Sequence, residues 1–322
     1  MNGNSVEGVA RAPGALTPLR ALGLLALCLL ASSTWLIDQQ WPITLPLPTR
    51  LTLHNLILAV IIAPFAWRHL VRNRSQSRPY AQLAIASICL LSLPALLVDI
   101  ARSSVSSVTV TELFAILPIA VVVLTPHLAS GSKSPPDTTH LLVPAFIGLA
   151  GTLLLLPFAL PDSPRRAACQ ALTLLAVVLS AIAAMWMHRL LAAFTVLEAI
   201  LLCCLANAAF SCSWLLISSL VTSTPLLPPD LAWQTFPPEF AIALLYDLPL
   251  LALLLWLMRD LAPTRLSVRF LAVPQFTYIG GYLLFGIGLS LKSIVGVLLL
   301  AFAILRLATA PNRTGEPRLI LH

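Results

Sequence analysis

The sequence predicts an all-α polytopic membrane protein with about ten transmembrane helices, arranged as two inverted five-helix repeats. Three observations predict it. Apolar segments recur along the chain with only short polar links between them. A helix needs roughly 20 apolar residues to cross a ~30 Å hydrocarbon core. Hydrophobic residues make up 59% of the chain and charged residues 10%, and the mean hydropathy is +0.94, outside the range of soluble globular domains. Finally, the basic residues fall mostly on alternate links, as the positive-inside rule requires of a multi-span chain.

The expected spans are 20–37, 51–68, 80–98, 108–126, 141–160, 167–187, 193–219, 238–258, 266–286 and 292–308. Residues 1–19 and 309–322 are then tails, with the two repeats at 20–160 and 161–308. Leu141–Leu160, Ala167–Met187, Phe240–Met258 and Lys292–Ala308 are the clearest runs. The longest links, Asp38–Arg50 and Val221–Pro237, are too short to fold alone, which argues against an appended catalytic domain. The first span has Arg20 before it and Ala31-Ser32-Ser33 behind it, as a signal peptide would. It is expected to be retained, because removing it spoils the even-span topology.

Placing the N-terminus in the cytoplasm leaves only Arg50, Arg102, Arg165, Arg166 and Lys292, of 19 basic residues, on the far side. Both termini are therefore expected inside, in the inner (plasma) membrane. The same placement accounts for the net charge of +7 without a nucleic-acid partner. The six cysteines lie in or beside apolar spans without metal-ligand spacing and read as small packing residues. Trp41, Trp67, Trp186, Trp233 and Trp256 fall near span ends or in links, where amphipathic rings settle. Pro64, Pro94, Pro118, Pro249 and Pro274 fall inside spans, and each removes a backbone donor.

A faint repeat joins the two halves. Leu113-Phe114-Ala115-Ile116-Leu117-Pro118 matches Arg269-Phe270-Leu271-Ala272-Val273-Pro274, and each leads to a glycine-containing last span, at Gly148 and Gly296. Five spans per half is odd, so the second half enters the membrane the other way up, as in many secondary transporters. At these residues the chain resembles the drug/metabolite transporter superfamily, in particular its EamA-like permeases. The resemblance spans most of 20–308. It rests on Ser32-Ser33-Thr34-Trp35, the two proline segments, Leu284-Phe285-Gly286-Ile287-Gly288-Leu289-Ser290 and Ile294-Val295-Gly296-Val297. It implies a ten-span inner-membrane permease. The family often carries a glutamate where this chain has Ile287, and an arginine early in the second span where it has His54-Asn55.

A carboxylate at a helix centre costs about 2.5–3.5 kcal/mol on insertion, so each asks for a reason. Asp247 sits mid-span beside Pro249 and is the main candidate for a proton carrier or substrate counter-ion; a hydrogen-bonded acid joining two helices is the alternative. Glu112 and Glu198 are further ion-path candidates against a reading of pairing or snorkelling. Asn207, Gln275 and Tyr278 lie at middle depth, as substrate contacts or cross-helix braces. Trp35 and Tyr246 are candidates to stack against a flat substrate, with packing as the more common use of a lone aromatic. The six histidines show no HExxH spacing, and no GxSxG elbow or Walker lysine occurs. No cofactor or metal is expected, and the chain is not expected to be an enzyme.

The expected function is secondary transport of a small metabolite or drug-like compound, outward, with protonation of Asp247 coupling it to a pH gradient. Two alternatives stand beside it. One is a membrane enzyme on lipid-linked substrates, built on Asp99 with Glu112. The other is a non-transporting membrane subunit.

Overall fold

The computed structural model describes residues 16–34, 45–72, 77–128, 138–222, 236–286, 288 and 290–310, and its secondary structure there is entirely helical. Chain entry is set by capping. In α1 (Pro18–Ser32) the Thr17 hydroxyl accepts the Arg20 N–H and a proline opens the first turn. Next come α2 (Leu47–Arg72), α3 (Ser77–Leu90) and α4 (Ser92–Ala101). A single irregular residue, Leu91, separates α3 from α4, and Pro94 just beyond has no N–H to offer the Leu90 carbonyl. The pair α5 (Ser107–Phe114) and α6 (Leu117–Leu128) breaks in the same way before Pro118, at Ala115–Ile116.

The second part holds α7 (Leu142–Leu155), α8 (Pro164–Leu190) and α9 (Val196–Thr222). Next are α10 (Phe236–Ile242), a π-helical turn (Ala243–Asp247) and α11 (Leu248–Asp260). The chain closes with α12 (Pro263–Leu266), α13 (Arg269–Phe285) and α14 (Leu291–Thr309). Gly286 ends α13 at φ 65°, the left-handed position that glycine fills without strain.

Among the described residues, seven helical stretches are long and apolar enough to cross a bilayer: Leu47–Ala66, Pro79–Ala101, Ser107–Leu128, Pro164–Ala193, Val196–Val221, Phe236–Asp260 and Leu291–Thr309. Pro18–Ser32 and Thr139–Leu155 are shorter apolar helices. The outer surface is apolar too, with Val60, Leu220, Leu283 and Leu291 all more than two-thirds exposed. Large exposed apolar area of this kind is the character of a helical membrane protein. The expected span 141–160 is cut short. Its helix ends at Leu155, because Pro157 pushes Leu156 into an extended conformation (φ −112°, ψ 146°). The expected link before the second span is shorter as well: the helix already begins at Leu47, which puts Arg50 in its first turn.

Two helix pairs carry the most extensive packing, α2 with α9 and α7 with α14. The second is a glycine crossing. A Cβ on Gly296 would lie 2.9 Å from the Gly151 carbonyl oxygen, and one on Gly151 would lie 3.0 Å from that of Gly296. Backbones approach this closely only where neither residue has a side chain. Gly296→Val is therefore expected to lower stability by about 1–3 kcal/mol, read as a drop in thermal unfolding midpoint in detergent. An unchanged midpoint would show that the two helices can separate at no cost. The main core gathers α1, α2, α3, α8, α9 and α11 around Leu27, Leu83, Met187, Leu201 and Leu255, with Cys28, Cys203 and Cys204 as small fillers.

Candidate functional site

The π-helical turn arises from its sequence. Pro249 cannot donate a backbone hydrogen bond, and its ring crowds the preceding turn. Widening that turn by one residue relieves the crowding, and the Leu248 N–H bonds back to the Ala243 carbonyl. Such bulges often sit at functional sites because the extra residue re-aims its neighbours. Here the turn ends on Asp247. Tyr246, buried beside it, donates its hydroxyl hydrogen to the Leu30 carbonyl of α1 at 2.9 Å, tying the turn to the first helix.

Asp247 faces α2. Its Oδ2 lies 2.5 Å from Nδ1 of His54, and Nε2 of the same ring lies 2.6 Å from Oε2 of Glu239 in α10. Arg50, one turn before His54, brings Nε to 3.7 Å from that same Glu239 oxygen. The side chains of His54 and Glu239 are 6% and 5% exposed, Arg50 17% and Asp247 29%. Four ionisable groups thus form a line. Arg50 and Glu239 lie where α2 and α10 begin, His54 follows about 6 Å along its helix, and its ring alone spans the gap from the Glu239 carboxyl to that of Asp247, eight residues further along the chain. Cys204 of α9 is close enough to feel the Asp247 charge.

The geometry constrains the proton count. A neutral imidazole has one N–H and one bare nitrogen. Both ring nitrogens of His54 lie within hydrogen-bond range of a carboxylate oxygen. Satisfying both bonds takes one further proton, on the ring or on a carboxyl. Withdrawing it sets a nitrogen lone pair against an oxygen lone pair. Asp247 is the freest member to retreat, being the most exposed and sitting on the wide turn. The groups are strung in line with His54 between the acids, so they offer no common point to a metal ion, and no cluster of three ligating residues occurs among the described residues.

The other candidates among the described residues, Asn207, Glu198, Glu112, Gln275 and Tyr278, form no hydrogen bond or ion pair with this line. Asn207 is fully buried in α9, donating to Ser87 Oγ of α3 at 3.3 Å and to the Cys203 carbonyl at 2.7 Å, the geometry of a cross-helix brace. Glu198 forms a reciprocal capping box: its Oε2 accepts the Thr195 N–H and hydroxyl, while Thr195 Oγ1 accepts the Glu198 N–H. Glu198→Ala is expected to cost about 1 kcal/mol of stability, read as a lower unfolding midpoint in detergent. Glu112 is buried in α5, and neither of its carboxyl oxygens has a hydrogen-bond partner among the described residues, so it makes no acid pair with Asp99. Gln275 and Tyr278 are half-buried on α13. Trp35 lies outside the described residues.

Sequence reasoning missed His54, Glu239 and Arg50 as site members. In the sequence His54 is visible only as a departure from the resembled family. Their separations from each other and from Asp247, 185 and 193 residues about His54, leave no local signal.

No family model and no curated protein sequence matches the chain. Chains of solved structure do match it, 22 in all. One, titled "Crystal structure of protein", superimposes with a TM-score of 0.68 at 16% identity, over 92% of this chain and 98% of that one. At that identity the likeness shows a shared fold, extending over nearly the whole of both chains.

Proposed function

We propose that this protein is a secondary active transporter of the inner membrane that moves a small metabolite or drug-like compound outward, coupled to protons through Asp247 and His54. The observation that carries this reading is the hydrogen-bonded triad Glu239–His54–Asp247, buried at one end and partly open at Asp247. A structural salt bridge needs two groups of opposite charge. This arrangement adds a third, leaves the most exposed acid on a weakened helical turn, and keeps its two short bonds only while it holds an extra proton. Loss of that proton frees Asp247 and loosens α2 from the turn, which links charge to helix movement.

The helix pairings support two inverted five-helix repeats. Exchanging α1 with α8, α2 with α9, α3–α4 with α10–α11, α5–α6 with α13, and α7 with α14 turns most of the main helix pairings into one another, the packing of α8 on α11 and of α7 on α13 being the exceptions. Thus α1 packs on α13 as α8 packs on α6, and α9 packs on α3 as α2 packs on the π turn. Phe114 and Phe270, matched by the sequence repeat, stack with centroids 5.8 Å apart. Gly151 and Gly296 also meet reciprocally, so the glycine that pairs with Gly296 lies one turn beyond Gly148. A further match, Ser92-Leu93-Pro94 against Asp247-Leu248-Pro249, falls at a broken helix in each half. Discontinuous helices at a repeat interface are where secondary transporters hold their coupling ions.

In this reading both termini lie in the cytoplasm, and alternating access comes from one half rocking against the other. The resemblance to EamA-like permeases points the same way. The test is flux in proteoliposomes with an imposed pH gradient and pooled small metabolites, the pools then divided to find the ligand. Collapse of the gradient that depends on a metabolite is expected. Folded protein giving neither collapse nor metabolite exchange would overturn the proposal.

A further inference from the structure

The line of four groups does more than hold Asp247. Its buried part begins where α2 and α10 begin and ends at the half-exposed carboxyl, so it joins one end of the bundle to the coupling acid. We infer that Asp247 receives its proton through Glu239 and His54, from the end at which α2 and α10 start, by a path separate from the face through which Asp247 is exposed. This inference rests on Asp247 being the proton carrier.

The chemistry balances with the two protons that the geometry requires. Before transfer, Glu239 is a neutral acid donating from Oε2 to Nε2 of His54, while His54 Nδ1–H donates to the Asp247 carboxylate. In transfer the O–H bond of Glu239 breaks as an N–H bond forms at Nε2. The Nδ1–H bond breaks as an O–H bond forms at Asp247 Oδ2. Afterwards Nε2–H donates to the Glu239 carboxylate, and the Asp247 hydroxyl donates to Nδ1. Both short contacts, 2.6 Å and 2.5 Å, are hydrogen bonds before and after, so the handover needs no rearrangement of heavy atoms. Once Asp247 has released its proton through its exposed face and withdrawn, exchange with water, one proton leaving Nε2 and one arriving at Nδ1, restores the starting tautomer. Water at the helix ends then reloads Glu239.

Arg50 is the positioning residue of this relay. Its guanidinium lies beside the very Glu239 oxygen that gives up the proton, and it attracts the carboxylate left behind. The charged and titratable groups facing the line are Arg50 and His54 from α2, Glu239 from α10, Asp247 from the π turn and Cys204 from α9. From α1 the turn meets the Leu30 backbone carbonyl, through Tyr246.

The test needs no substrate. Time-resolved infrared spectroscopy of the purified protein after a pH jump follows the Asp247 carboxyl band, identified as the band missing in Asp247→Asn. The relay predicts that Glu239→Gln and His54→Gln each slow the appearance of this band by roughly 10-fold or more. Formate is expected to restore the rate in Glu239→Ala, which a purely structural role would not allow. If Glu239→Gln does not fold, His54→Gln and the formate rescue decide. A wild-type rate in either Gln variant, or failure of rescue in folded Glu239→Ala, overturns the relay and leaves Asp247 as carrier. Absence of any Asp247 band in the wild-type protein overturns the carrier reading itself, and the relay with it.

Discussion

Asp247→Asn is expected to yield a folded protein whose pH-driven flux falls to the level of empty liposomes. The amide keeps the size of the acid and still hydrogen-bonds to His54 Nδ1, through its oxygen or its nitrogen as the ring tautomer demands. Packing around Tyr246 and Pro249 is therefore retained. What is lost is the ability to take up and release a proton, and with it the link between proton movement and the π-helical turn. The measurement is gradient collapse in proteoliposomes, with the unfolding midpoint as the control for folding. Normal pH-driven flux in the folded variant would remove Asp247 from the coupling mechanism.

His54→Leu is expected to be the most destabilising single change in the site, by about 3–5 kcal/mol. Leucine fills similar space but neither donates nor accepts, so Glu239 and Asp247 lose the hydrogen-bond partner that stands between them. Glu239 is the critical partner, since its side chain is only 5% exposed and Arg50, left beside it, stands at 3.7 Å. Cost from a stranded buried charge has a signature that cost from lost packing lacks: removing the charge recovers it. The double variant His54→Leu with Glu239→Leu is accordingly expected to unfold at a higher temperature than His54→Leu alone. If the two changes simply add, the buried charge is not the source of the loss.

Much of the architecture was legible in the sequence because lipid imposes a strong, local rule. A spanning segment must be apolar over its whole length and satisfy its own backbone, so length and composition alone mark it. Boundaries were less legible where proline acts. Pro157 ends α7 five residues before the apolar run ends, and Pro94, Pro118 and Pro249 divide their spans by different means: an irregular residue, a short break and a π-helical turn. Composition cannot distinguish these outcomes, because each depends on how neighbouring helices accommodate the freed carbonyl.

The site divides along the same line. Asp247 could be read from the sequence, since a carboxylate in the middle of an apolar run is costly wherever it points. Glu198 could not be assigned in the same way, because a capping box and an ion path use the same residue type at the same depth, and only the bond to Thr195 separates them. His54 carried no local signal: a histidine near the start of an apolar helix is ordinary until its neighbours in space are known.

Local chemistry along the chain sets the material: helices long and apolar enough for a bilayer, an acid in the middle of one, and prolines that weaken particular turns. These follow from interactions within about four residues, or from the cost of leaving water, and both are written locally. The tertiary structure alone decided which groups meet. It set His54 between Glu239 and Asp247, stacked Phe114 on Phe270 and closed Gly151 on Gly296. Those meetings depend on how α2 crosses the π-helical turn, how α5 crosses α13 and how α7 crosses α14. They are fixed by side-chain packing across the whole bundle rather than by any stretch of chain.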